Sequence, residues 1–173
     1  MPEDLGKFLL SIAVTTAEPF LDEDLPEISE DLGVDLNDYD QNMLRSEILM
    51  VCLWAATKAL EGDNHVIKMI HDAFFSAFEG KRRNELKEMF SQRYKRYNEA
   101  WDESSRGMQF VLAANILSEM FNEGEFNESL LDAQAHTVVL DFVFITMENV
   151  LDARGKIRLT SVQESQGNAD KDG

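Results

Sequence analysis

Thr137-Val-Val-Leu-Asp-Phe-Val-Phe-Ile-Thr146 decides the fold class, because it can be read as a buried strand or as the middle of a helix. Taken alone, its β-branched and aromatic residues favour a strand. The residues around it favour a helix. From Asn127 to Asp152 there is no Gly or Pro, a length well beyond an ordinary strand. Gln134, Thr137, Asp141, Glu148 and Asp152 also fall on one narrow stripe at helical spacing. The stretch therefore reads as a helix over 128–152, polar along one line and apolar over most of its surface.

A second apolar run, Ile48-Leu-Met-Val-Cys-Leu-Trp-Ala-Ala56, has no polar side at all, which predicts burial on every face. Gly62, Gly80, Gly124 and Gly155 each follow a segment with helical apolar spacing, where a left-handed cap closes a helix. Capping candidates follow three of them: Asp63 or Asn64, Asn84, and Asn127 or Ser129. Pro2, Pro19 and Pro26 are the only prolines, so no later segment is interrupted. These signals predict six helices, near 4–17, 40–60, 64–79, 84–101, 104–122 and 128–152. The two apolar helices, 40–60 and 128–152, should stand at the centre of an all-α bundle with the amphipathic ones around them.

At 173 residues and 44% hydrophobic composition, the chain suits one domain with a core of its own. That domain is expected over 1–155, with 18–39 as an acidic connecting segment. Between Glu18 and Asp40 there are ten acids and no base. From Lys156 to Gly173 the chain is polar and too poor in apolar residues to order itself. The single cysteine, Cys52, sits in the apolar run and reads as a small buried hydrophobe rather than a nucleophile. No segment is long enough to span a membrane, and Phe8–Val14 has Glu3 and Asp4 before it with Lys7 as the one cation. A cytoplasmic protein is the expectation.

Motifs for chemistry are absent where the chemistry would need them. A di-iron bundle uses Glu-x-x-His, but Gly62, Lys68 and Ala133 stand three residues before His65, His71 and His136. Asp132 and His136 are spaced i, i+4, yet two ligands do not make a metal site, and a solvent-facing pair is expected. The stretch Asp35-Leu-Asn-Asp-Tyr-Asp40 resembles the start of a calcium loop, but Asp40 and Ser46 occupy the positions that need Gly and Glu. No phosphate-binding loop or nucleophile elbow occurs. No metal, no cofactor and no catalytic residue is therefore nominated, and the reading leans away from an enzyme.

Charge offers more. The net charge is −17, which opposes contact with nucleic acid and anionic lipid as a whole. Residues 81–97 run against that balance: with seven cations and two acids they carry +5, leaving −22 elsewhere. Lys81, Arg82, Arg83, Lys87, Arg93, Lys95 and Arg96, with Tyr94 for stacking, are the candidates for contact with a partner. Arg93 falls within the apolar stripe of Leu86, Phe90, Tyr97 and Trp101, so it must find a carboxylate, and Glu47 is the expected one.

The reading that results is a non-enzymatic protein–protein interaction or regulatory module, with self-association as one form of it. The basic helix or the acidic segment 18–40 would supply the contact. A different reading has a small anionic ligand held between helices at Arg93, with an enzyme as one form of it. A third has the acidic surface mimicking a nucleic-acid backbone, although direct nucleic-acid binding is disfavoured.

Overall fold

The computed structural model describes residues 2–104, 110–121, 124–125 and 128–169, and every regular element among them is helical. In chain order these are α1 (Pro2–Val14), α2 (Ala17–Pro19), a π-helical turn (Phe20–Asp24), α3 (Leu25–Leu32) and a 3-10 turn (Leu36–Asp38). Then come α4 (Gln41–Ala59), α5 (Asn64–Ser76), α6 (Gly80–Ser104), α7 (Val111–Phe121), a second 3-10 turn (Glu128–Leu130) and α8 (Ala133–Ala169). The protein is an all-α bundle. No helix among the described residues is long and apolar enough to cross a membrane.

Side-chain carboxylates start the two central helices. Asp40 accepts from the backbone N–H of Asn42 at 2.7 Å and of Met43 at 3.3 Å, and so opens α4. Asp132 accepts from Gln134 at 2.9 Å and Ala135 at 2.8 Å, and so opens α8. Each such cap satisfies amide groups that the first helical turn leaves without partners. Asp132, which with His136 has the spacing of a metal-ligand pair, caps a helix here.

α4 is the hub, packed against α1, α5, α6, α7 and α8. From Leu44 to Thr57 only Arg45 and Leu49 escape burial, and Trp54 is fully enclosed. The Trp54 indole N–H reaches Asn98 Oδ1 at 3.2 Å, and its ring meets Tyr97 and Trp101 edge-on. Packing at α1 and α5 is close enough to require glycine. A Cβ on Gly6 would lie nearer the Met69 carbonyl than real Cβ atoms come, so the two backbones touch there.

Boundaries differ from the sequence expectation: α6 begins at Gly80, so Asn84 lies inside it rather than capping it, and α8 begins after Asp132 rather than after Asn127 or Ser129. The acidic segment 18–39 is not a plain connection: α2, the π turn and α3 carry the chain helically to Leu32, where Gly33 (φ 66°) closes it. Phe20, Leu25, Ile28 and Leu32 turn into the core, while the acids face outward except Asp24, which is half-buried. Of the segment expected over 104–122, Ser104 ends α6 and Val111–Phe121 form α7; residues 105–109 lie outside the described residues.

Gly155 is not a cap. α8 passes through it to Ala169, taking in much of the tail expected to be disordered, while 170–173 lie outside the described residues. Packing on both sides of the glycine offsets its low helix propensity, roughly 1 kcal/mol against alanine. Arg154 is paired with Asp63 at 3.0 Å, and Ile157 rests on the core.

Candidate functional site

The seven cations of α6 do not form one surface. Lys81 lies 3.4 Å from Glu85, Arg82 donates to Ser46 Oγ at 3.2 Å, and Arg83 donates to the Phe78 carbonyl at 2.6 Å. The Lys87 ammonium stands 5.6 Å from the centre of the Phe75 ring. Lys95 and Tyr94 are exposed, Tyr94 lying against Phe90. Arg93 and Arg96 turn inward.

Those two arginines meet two buried carboxylates. Arg93 holds Glu47 of α4 bidentately, Nε to Oε2 at 2.9 Å and Nη2 to Oε1 at 2.6 Å. The same Nη2 lies 2.9 Å from Oε2 of Glu119 on α7. Arg96 donates to the other Glu119 oxygen at 2.5 Å, to Asn115 Oδ1 at 2.8 Å and to the Gly124 carbonyl. Two acids and two bases thus close a cluster that ties α4, α6 and α7 together and carries no net charge. Gly124 (φ 83°) has to be glycine twice over, for its backbone and because a Cβ would overlap the Arg96–Glu119 contact.

Burial sets the electrostatics. It pushes the Glu47 carboxyl above its ordinary range, the Arg93 hydrogen bond and charge pulling it back and Glu119 adding to the rise. Arg93 loses solvation too, but Glu47 and Glu119 more than compensate and keep it cationic. Tyr97, enclosed beside the cluster, has no hydrogen-bond partner for its hydroxyl among the described residues, and burial raises its pKa well above the usual value.

Next to this cluster the surface opens into a cleft of about 510 Å³. Its walls are Tyr39, Met43, Leu44, Met120 and Phe121, with the Tyr39 and Phe121 rings edge-to-face at 5.2 Å. Buried Glu47 and Glu119 lie at its base, and exposed Asp38, Asp40 and Glu125 stand at its mouth. Since Arg93 and Arg96 balance the base, exposed Asp38 and Asp40 give the mouth its negative sign. A cation with an apolar stem fits this chemistry: the stem lies on the methionines and aromatics, and the charged end stays near the carboxylates. An anion at Arg93 would instead have to approach through carboxylates.

The other candidates have structural partners. His136 is buried rather than solvent-facing, its Nε2 lying 2.8 Å from the Leu130 carbonyl. Burial pushes the Cys52 thiol up to about 12, so it is not a thiolate near neutrality. Among the described residues no group of three or more His, Cys, Asp and Glu is arranged to hold a metal ion.

Sequence reasoning pairs Arg93 with Glu47 because both stand out as charges on apolar faces. It misses Glu119, although a lone acid in Asn115-Ile-Leu-Ser-Glu-Met-Phe121 is the same signal. Compared with protein-family models, with curated proteins and with solved structures, the chain matches none of them.

Proposed function

We propose that this chain is a non-enzymatic interaction module that seats a cationic side chain of a protein partner in the cleft beside Glu47 and Glu119. The observation that supports it is the division of charge within the cleft. Its base is neutralised internally, its walls are apolar, and its mouth carries Asp38, Asp40 and Glu125. Lysine and arginine both offer an apolar stem with a charged end, and both are common on protein surfaces. A cytoplasmic setting goes with this reading, as the single cysteine is a buried thiol.

The test is a triple variant, Asp38→Asn, Asp40→Asn and Glu125→Gln, which keeps side-chain size and retains a capping residue at position 40. Partner capture from the source lysate at low salt should give a stoichiometric protein that salt releases. The triple variant should bind it about tenfold more weakly, the sum of three partly exposed charge contacts. A partner held equally well by the triple variant would move the contact elsewhere. Capture of nothing but the chain itself would end the reading.

A further inference from the structure

From the outer face of α8 we infer a second docking surface, independent of the cleft, for a basic amphipathic helix of a partner protein. The inward face of α8 is Ala135, His136, Val139, Phe142, Val143, Thr146 and Val150, all buried. At helical spacing, Leu140, Phe144, Met147 and Leu151 lie together on one flank, within about 60° of arc and over about 16 Å of axis. Phe144 is 47% exposed and Leu151 48% exposed, while Leu140 and Met147 are half-buried beside them. Trp101 of α6, also half-buried, continues the strip by meeting the Phe144 ring at 5.9 Å.

Asp141, Glu148 and Asp152 run alongside, all exposed and on one line at i, i+7 and i+11. No hydrogen bond or ion pair joins these three to another side chain among the described residues. Of the bases nearby on the same helix, Arg154 is engaged with Asp63, and exposed Lys156 stands one turn beyond Asp152. The face therefore presents an apolar strip beside a strip of three unpaired acids that ends at Lys156, on a chain of net charge −17. That pattern selects its occupant by charge. A helix with an apolar stripe and neighbouring lysines or arginines matches both strips at once. A second copy of this chain does not, since it would bring the same three acids and another −17 to the contact.

The experiment titrates the full chain with an 18-residue helical peptide of leucines on one stripe and lysines elsewhere, followed by tryptophan fluorescence and by calorimetry. A peptide of the same composition with the leucines scattered is the control for plain charge attraction. The patterned peptide should bind at least about tenfold more tightly than the scattered one and perturb Trp101. Phe144→Ser with Leu151→Ser should weaken it about tenfold, with the helical circular dichroism unchanged. Asp141→Lys, Glu148→Lys and Asp152→Lys together should weaken it similarly and flatten its salt dependence.

Equal binding of the two peptides would overturn the inference, as would indifference to the Phe144 and Leu151 changes. So would concentration-dependent dimers of the wild-type chain that those changes dissolve. The triple variant at Asp38, Asp40 and Glu125 should bind the patterned peptide as wild type does; loss there would place the peptide in the cleft and overturn the second surface. Failure of the α8 variants to matter leaves the cleft reading standing.

Discussion

α4 has neighbours on every side, from α1, α5, α6, α7 and α8, whereas α8, up to Ile157, has them along one face and shows solvent the rest. Both helices are rich in apolar residues, yet only α4 uses all of that character inside. Even its one buried acid, Glu47, is enclosed by an arginine held in place from α6. α8 keeps Phe144, Ile145 and Leu151 about half exposed. Apolar content in a central helix thus has two meanings: on α4 it is core, and on the outer flank of α8 it is surface available to a partner. This difference predicts opposite responses to substitution.

The largest response belongs to Trp54 in α4. Trp54→Ala should cost about 3–5 kcal/mol, because the ring is fully enclosed and its removal leaves a cavity between α4 and α6. Urea denaturation followed by circular dichroism measures it. A loss under about 1 kcal/mol would mean that α4 is not the rigid centre described.

Arg93→Met comes next, at about 3 kcal/mol. It leaves buried Glu47 without its bidentate partner and Glu119 with Arg96 alone. Adding Glu47→Leu should recover part of the loss, since the orphaned charge is then removed. If the single variant is as stable as wild type, Arg93 is not structural, and the anionic-ligand reading gains ground.

Why one helix could be read from sequence and the other only halfway is a matter of what is local. Residues 48–56 have no polar side, so burial of α4 follows from composition alone. In α8 the polar stripe settles helix against strand. It does not say which apolar flank faces the core, because that depends on where α1, α3, α4 and α7 sit. The segment 18–40 was obscured in a different way. Leu25, Ile28 and Leu32 have the helical spacing, but the ten acids and two prolines of this stretch read as a connection. Pro26 in fact stands in the first turn of α3, where its missing N–H costs nothing. The cleft joins residues 38–47 to 119–125 across the length of three helices, and no local pattern records that meeting.

Acidification separates the buried acid of α4 from the chain's general repulsion. Glu47 has an ordinary value of 4.5 and is raised in the fold, so the folded chain holds its proton more readily than the unfolded one. Its contribution is therefore present in full below pH 4.5 and is lost as pH rises through the raised folded value. Asp24, raised by burial and then by Glu23 and Glu27, acts in the same direction. The urea midpoint should be higher at pH 5 than at pH 7, and Glu47→Gln should reduce that difference. An unchanged difference in the Gln variant would assign it to easing of the −17 repulsion instead.

The smallest response is expected at Phe144. Its ring touches Trp101 but is 47% exposed, so Phe144→Ser gives up part of one aromatic contact and hydrates surface that water already reaches. The cost should stay below about 1 kcal/mol, against the several expected at Trp54. Urea midpoints of the two variants, measured side by side, test the comparison directly. A cost at Phe144 near that at Trp54 would mean its flank is covered in the free protein, and that α8 is buried in the same sense as α4. A small cost leaves the flank as surface, kept apolar on a highly charged chain at no gain to the fold, which is the condition a docking face has to meet.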